Sequence, residues 1–240
     1  MKYLIVSGDS WTDQNYWSRT NEHLKCDWPK WPQLLAEKLN MQVVNLGRSG
    51  RGNEYIYSTI LDRIAEQPDN IGMVIAAWSS PERRDYCDIG EKGDYRWRTL
   101  RPDDSGSFLY HIQRSFRLFY SFQQLCESLN LKYKHMLMVP FFRTFLWELA
   151  NDLITQIDAD RWKGLFIEES LILKSIINSP YIDTMNKNFI GWPCVEELGG
   201  YSIKDKLNPS RSLDFQIADN DSHPNGKGQE MIANYIYDRL

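Results

Sequence analysis

The sequence has no long hydrophobic run and no excess of positive charge. No segment reaches the roughly 18 consecutive apolar residues that an ordinary membrane-spanning helix requires. The 28 lysines and arginines are outnumbered by 32 aspartates and glutamates, which gives a formal net charge of −4. An acidic balance of this kind does not favour a general nucleic-acid-binding protein. We therefore expect neither a membrane nor a nucleic acid as partner.

Cysteine and histidine are scarce and scattered. The four cysteines, Cys26, Cys87, Cys126 and Cys194, form no Cys-x-x-Cys pair, which argues against a zinc site or a dense disulfide framework. The four histidines are also far apart, so no cluster has the spacing of a metal site. Lys2 precedes a short apolar stretch that does not reach the length of a secretory signal's hydrophobic region. These features predict a cytoplasmic protein without a metal or other cofactor.

The sequence does contain a regular alternation of strand and helix patterns. Apolar runs typical of buried strands occupy 2–7, 41–45, 71–78 and 134–139, and apolar residues at helical spacing occupy 31–39, 53–66, 108–129, 142–158, 168–178 and 226–240. Because strands that alternate with helices form βαβ units, the pattern predicts a three-layer α/β/α domain around a parallel sheet. We expect a single domain over 1–240, with surface insertions at about 83–106 and 179–215.

Polar residues follow the predicted strands at the points where the strands end. The candidates are Ser10 after the first strand, Gly50 and Asn53 after the second, Ser80 and Arg83 after the third, and Asp221 and His223 before the last helix. Ligands of open α/β sheets bind at the carboxyl ends of the strands. If the sheet is parallel, these residues converge on one edge.

Ser10 and His223 together have the chemistry of nucleophilic catalysis. A serine hydroxyl loses its proton as it attacks, and a neutral imidazole within hydrogen-bonding distance accepts that proton. A carboxylate at the other ring nitrogen fixes the tautomer and stabilises the imidazolium; Asp219 and Asp221 are the nearby candidates. Singly, neither residue is specific, since a serine after a strand is commonly a helix N-cap. Pro224 fits the first position of the last helix, so His223 alone also fits a capping or surface residue.

Three motifs in this order resemble those of the SGNH (GDSL-like) hydrolase family. Gly8-Asp9-Ser10 is similar to the family's first block, the segment 45–50 to its second, and Asp221-Ser222-His223-Pro224 to its last. The stretch Trp78-Ser79-Ser80-Pro81-Glu82-Arg83 is similar to SGNH-like proteins carried by bacteriophages. The resemblance spans the chain from end to end.

The resemblance implies both a fold and a reaction. The fold is a flavodoxin-like sheet of about five parallel strands, and the reaction is ester hydrolysis through an acyl-serine. Ser10 would be the nucleophile and His223 the base, while the backbone N–H of Gly50 would contribute to the oxyanion hole.

Two positions depart from the family pattern. The third block usually carries an asparagine whose amide completes the oxyanion hole, but 78–82 contains none; Ser80, Arg83 or Asn53 could substitute. The position three residues before the histidine, where the family usually has its acid, is Asn220. We expect Asp221 to take the acid role, because an asparagine would hold the ring without stabilising its positive charge.

These observations favour a serine esterase acting on an ester of a small molecule or a carbohydrate, for example an acetyl ester. The missing asparagine supports an alternative, a non-catalytic SGNH-like protein that binds a ligand or a partner in the same cleft. A third reading is an assembly subunit in which the 83–106 insertion forms an oligomer interface.

Overall fold

The computed structural model describes residues 1–66, 69–90, 95–100, 108–140, 173–207 and 213–240. Its strands are β1 (Tyr3–Gly8), β2 (Gln42–Asn45), β3 (Ile71–Trp78), β4 (Arg84–Ile89), β5 (Tyr95–Leu100), β6 (Tyr133–Leu137), β7 (Phe189–Ile190), β8 (Gln216–Ala218) and β9 (Asp221–Pro224). Its longer helices are α1 (Trp31–Lys38), α2 (Asn53–Glu66), α3 (Phe108–Ser128), α4 (Ile203–Leu207) and α5 (Gly226–Tyr237). Residues 173–177 are also helical. The predicted helix at 142–158 and residues 168–172 lie outside the described ranges.

Five parallel strands form the central sheet in the order β2-β1-β3-β6-β7. Alternate residues of each strand point to opposite faces, so that Leu4 and Val6 join one apolar cluster while Ile5 joins the other. Helices α2 and α3 cover the Ile5 face, and α1 and α5 cover the opposite face. The predicted α/β/α architecture with about five parallel strands is confirmed.

The fifth strand lies inside the segment predicted to be a surface insertion. Phe189 and Ile190 pair with His135 and Met136 of β6 and are almost completely buried. The prediction that 179–215 is a surface insertion is therefore wrong for this part. A strand of two residues is too short to show a periodic pattern, and the Gly191-Trp192-Pro193 sequence after it is typical of a loop.

The described parts of the other predicted insertion form a hairpin rather than an irregular loop. Strands β4 and β5 pair antiparallel, with Cys87 opposite Trp97. The hairpin is fastened to the start of α2 by Asp85, whose carboxylate accepts the N–H groups of Gly52 and Tyr55 at 2.9 and 3.0 Å. The suggested role of 83–106 in oligomer formation stays a prediction.

The helices do not resemble membrane spans. In the part of the chain that the structure describes, none combines the length and the apolar character needed to cross a bilayer.

Candidate active site

Ser10 lies in a tight turn that follows β1. Asp9 organises this turn: its Oδ1 accepts the Trp11 N–H at 3.0 Å, and its carbonyl oxygen accepts the Thr12 N–H at 2.9 Å. Glycine is required at position 8, because a Cβ on Gly8 would lie 2.2 Å from Thr12 Oγ1. The chain therefore reverses sharply at the carboxyl edge of the sheet and places Ser10 there.

Asp9 also joins three loops through its second oxygen. Asp9 Oδ2 accepts the Ser79 hydroxyl at 2.6 Å and Arg83 Nη1 at 3.2 Å. The same Arg83 nitrogen lies 3.0 Å from the carbonyl oxygen of Arg51. The Asp9 side chain is only 1% exposed, and a buried carboxylate is tolerated when it is paired and hydrogen-bonded. These contacts fix the loops after β1, β2 and β3 relative to one another.

His223 is carried by a short antiparallel hairpin, β8–β9, and not by the start of a helix. Pro224 pairs with Gln216 in this hairpin. Helix α5 begins after Asn225, whose side chain accepts the Gly228 N–H at 3.0 Å and so caps the helix. The prediction that Pro224 occupies the first position of the last helix is wrong, because the Asn225 side chain supplies the helix cap one residue later.

The structure brings Ser10, His223 and Asp221 into one hydrogen-bonded chain. His223 Nε2 lies 2.8 Å from Ser10 Oγ, and His223 Nδ1 lies 2.6 Å from Asp221 Oδ1. An ionised carboxylate can only accept a hydrogen bond, so the proton of the neutral imidazole belongs on Nδ1. Nε2 then presents a lone pair to the Ser10 hydroxyl. Among the described carboxylates, Asp221 rather than Asp219 makes this contact.

The surroundings of Asp221 keep its carboxylate charged. Burial by itself raises the pKa of Asp221, but hydrogen bonds from His223 and Ser18 outweigh it and hold the pKa well below its ordinary value. Asn220, which stands where the family usually has its acid, instead accepts a hydrogen bond from Asn21 Nδ2 at 2.8 Å. The ionised group beside the imidazole is therefore Asp221.

Tyr16 is a member of the site that the sequence did not reveal. Its hydroxyl lies 3.0 Å from Asp221 Oδ2 and 2.8 Å from His223 Nδ1, and its ring stacks on the imidazole with centroids 4.2 Å apart. The centroid of the Trp11 ring lies 6.3 Å from that of the imidazole. Tyr16 follows Ser10 by six residues in an irregular loop, and no periodic pattern links the two positions.

The loop after β2 is fastened to the loop that carries Ser10. Asp13 Oδ2 accepts both the N–H and the hydroxyl of Ser49, at 2.8 and 2.6 Å. Gly50 follows with a φ of +77°, in the left-handed region that glycine adopts without strain. In the described ranges, the backbone N–H groups of Gly50 and Ser10 donate no hydrogen bond to protein.

The three candidates for the missing oxyanion donor differ in their surroundings. Both Nδ2 hydrogens of Asn53 are used, towards the Ser79 carbonyl at 3.2 Å and Ser115 Oγ at 3.0 Å, so Asn53 braces the loop and has no amide hydrogen left for a substrate. Nη1 of Arg83 is engaged with Asp9 and its neighbours. Ser80 is different, because its Oγ is buried and has no hydrogen-bond partner among the described residues.

Two of the four cysteines are buried in the apolar core. Burial raises the pKa of both thiols, to about 12 for Cys126 and well above its usual range for Cys194. A thiol that keeps its proton is a poor nucleophile and a poor metal ligand. Within the described ranges, no three His, Cys, Asp or Glu side chains come together as a metal site.

Comparisons with known proteins agree with this architecture. No family model matches the sequence, and no curated protein matches it. Among solved structures, one assigned to the lipolytic G-D-S-L family, from Desulfitobacterium hafniense DCB-2, is similar over 100% of both chains, with 14% identity and a TM-score of 0.50. TesA is similar over 100% of this chain and 98% of its own, with 12% identity and a TM-score of 0.50. The chain therefore has the α/β fold of the G-D-S-L, or SGNH, hydrolases.

Proposed function

We propose that this protein is an SGNH-type serine hydrolase that cleaves carboxylic esters through an acyl-serine intermediate. The observation that carries the proposal is the hydrogen-bonded chain from Ser10 through His223 to Asp221 at the carboxyl edge of the sheet. The order of the three sequence motifs and the fold support the same assignment.

In the acylation step, Ser10 Oγ attacks the ester carbonyl carbon and transfers its proton to His223 Nε2. Asp221 stabilises the imidazolium that forms. The tetrahedral intermediate then collapses, its bond to the leaving oxygen breaks, and Nε2 returns the proton to the departing alcohol. In deacylation a water molecule replaces the alcohol: it loses a proton to His223 Nε2 and attacks the acyl carbon. The bond between the acyl carbon and Ser10 Oγ then breaks, Nε2 returns the proton to Oγ, and the carboxylic acid is released.

The negative charge of each tetrahedral intermediate needs hydrogen-bond donors. We assign this role to the backbone N–H groups of Ser10 and Gly50, which are not used by other protein groups in the described ranges. We assign the third donor to the Ser80 hydroxyl, which follows β3 and is buried without a hydrogen-bond partner among the described residues. A lost oxyanion donor costs about 2.7–4 kcal/mol of transition-state stabilisation, so a substitute for the family's asparagine is expected in an active enzyme.

The substrate class we propose is an ester of a small molecule or a carbohydrate. Trp17 is 55% exposed. It directly follows Tyr16, which contacts His223. An exposed indole at the position after Tyr16 would give an apolar, flat surface on which a sugar ring can pack.

Hydrolysis of p-nitrophenyl acetate tests the assignment. The wild-type protein should release p-nitrophenol, and Ser10→Ala should reduce the rate to that of buffer. Ser222→Ala is a serine control, because the described hydrogen bond of the Ser222 hydroxyl is with Lys204 Nζ at 2.9 Å. Equal release by the wild type and Ser10→Ala would remove the catalytic assignment and leave the alternative, a non-catalytic protein that binds a ligand or partner in the same cleft.

A further inference from the structure

Tyr16 contacts both members of the Asp221–His223 pair at once. We propose that Tyr16 is a positioning residue, which holds the Asp221 carboxylate and the His223 ring in the arrangement that leaves Nε2 free to accept the Ser10 proton. This inference rests on the proposed esterase function and assigns to Tyr16 a role that the three family motifs do not include.

The hydrogen-bond inventory permits one arrangement of protons. The Tyr16 hydroxyl has a single hydrogen, and Asp221 Oδ2 at 3.0 Å is an acceptor without a proton of its own. The hydroxyl therefore donates to Asp221, and towards His223 Nδ1 at 2.8 Å its oxygen must accept. This requires a proton on Nδ1, which the 2.6 Å contact to Asp221 Oδ1 also requires, so the single Nδ1–H is shared between a shorter contact to Asp221 and a longer one to Tyr16. Both neighbours of Nδ1 thus select the same tautomer.

The two carboxylate oxygens of Asp221 accept hydrogen bonds from different residues. Oδ1 accepts from the backbone N–H of His223 at 3.1 Å and from Nδ1 at 2.6 Å, and Oδ2 accepts from Tyr16. Without the tyrosine hydroxyl, Oδ2 loses one of the contacts that oppose rotation of the carboxylate. Because the bond to Nδ1 depends on that rotation, the effect of Tyr16 on catalysis passes through Asp221.

The charges around Tyr16 keep its hydroxyl protonated. Burial, and after it the charge of Asp221, raises the pKa of Tyr16 far above its ordinary value. Cys26 acts in the same direction, and Arg19 opposes it. The hydroxyl is therefore a hydrogen-bond donor throughout the pH range in which an esterase of this type works.

The ring of Tyr16 has a second effect. It stacks on the imidazole at an interplanar angle of 26° and so restricts rotation of His223 about its side-chain bonds. Tyr16 belongs to neither of the two apolar clusters of the core. Its described contacts thus favour a role at the catalytic pair over a role in core packing.

The test compares two substitutions that separate hydroxyl and ring. Tyr16→Phe keeps the stacked ring and removes the hydroxyl; we expect kcat on p-nitrophenyl acetate to fall about tenfold, as for the loss of a hydrogen bond to a charged group, with KM changed less than twofold. Tyr16→Leu removes both and should lower kcat further. Tyr235→Phe is the matched control, because it removes a hydroxyl that contacts Tyr201 instead, and it should leave kcat unchanged.

A double-mutant cycle separates positioning from a general structural effect. If Tyr16 acts through Asp221, Tyr16→Phe should change the residual activity of Asp221→Ala less than twofold, because the group it positions is gone. A further tenfold loss in that background, or an unchanged kcat for Tyr16→Phe alone, would overturn the inference.

The tautomer of His223 can be measured by NMR without reference to enzymatic activity. In protein labelled with ¹⁵N-histidine, the wild type should show His223 as the Nδ1–H tautomer, and Tyr16→Phe should show a larger share of Nε2–H. Identical tautomer populations in the two proteins would overturn the positioning role. An inactive wild type with the expected tautomer change would instead contradict only the esterase function.

Discussion

His223 Nε2 lies 2.8 Å from Ser10 Oγ, although the two residues are 213 positions apart in the chain. The parallel sheet accounts for this proximity. Ser10 follows β1, the hairpin β8–β9 holds His223, and α5 packs against α1 on the face of the sheet to which Leu4 and Val6 point. The first and last segments of the chain are therefore neighbours at the carboxyl edge.

The acid of the proposed catalytic chain can be assigned by two matched substitutions. Asp221→Asn should lower kcat by roughly a thousandfold or more, because an amide favours the wrong tautomer and does not stabilise the imidazolium. Asp219→Asn should change kcat less than twofold. Steady-state rates on p-nitrophenyl acetate measure both; a larger loss in Asp219→Asn would transfer the acid role to that residue.

Ser80 provides a test in which activity and stability move in different directions. Ser80→Ala should lower kcat about 100-fold if its hydroxyl donates to the oxyanion. The same change should leave the melting temperature equal or higher, since it removes a buried hydroxyl that has no partner in the described structure. Ser79→Ala is the control: it removes a hydroxyl bonded to Asp9 and should lower the melting temperature. An unchanged kcat in Ser80→Ala would exclude Ser80 as a donor.

The buried side chain of His135 should make the protein less stable in acid. It is completely buried, and its Nδ1 lies 3.3 Å from Trp78 Nε1. Burial, followed by the charge of Lys134, lowers the pKa of His135 well below its ordinary value of about 6.5. Below about pH 6.5 the unfolded chain binds a proton at this histidine that the native protein does not, so the free energy of unfolding falls as the pH drops. Above about pH 6.5, His135 makes no pH-dependent contribution to the free energy of unfolding.

Denaturant unfolding at several pH values measures the His135 effect. His135→Gln should reduce the slope of unfolding free energy against pH in acid by up to about 1.4 kcal/mol per pH unit. His23→Gln, at an exposed histidine, should leave that slope unchanged. The buried-histidine explanation does not survive if the wild type and His135→Gln have parallel pH curves.

Trp17 distinguishes a carbohydrate substrate from a simple ester. Trp17→Ala should raise KM several-fold on an acetylated oligosaccharide, because the sugar loses its packing surface, and should leave the kinetics on p-nitrophenyl acetate within twofold. Tyr237→Ala, a substitution at another exposed aromatic residue, is the control and should affect neither substrate. Equal KM values for Trp17→Ala and wild type on the oligosaccharide would argue against sugar packing at this position.

The sequence was sufficient for the fold class. It also singled out Ser10, Asp221 and His223, each in a short motif, and the structure places these three side chains within hydrogen-bonding distance of one another. Their catalytic roles stay a prediction. The sequence could not predict roles that depend on contacts between residues distant in the chain. The sequence position of Asn53 suits an oxyanion donor, but in the structure both of its amide hydrogens are donated to other protein groups. Tyr16 could not be found, since its contacts with the hairpin depend on the path of an irregular loop.

The sequence also did not predict strand β7 or the first residue of α5, for similar reasons. The two-residue strand β7 has too few residues for a pattern, and its place in the sheet depends on pairing with β6. Asn225, rather than Pro224, marks the start of α5, because the Asn225 side chain accepts the Gly228 N–H and caps the helix. The resemblance to bacteriophage proteins stays a prediction.

Labelling with a fluorophosphonate probe, followed by intact-mass measurement and peptide mapping, shows whether Ser10 is an activated nucleophile. The probe reacts only with an activated serine, so we expect one adduct, located on Ser10, in the wild-type protein. The adduct should be absent in Ser10→Ala and strongly reduced in His223→Ala. A folded wild-type protein that takes up no probe, or that carries the adduct on another serine, would contradict the assignment of Ser10 as the nucleophile.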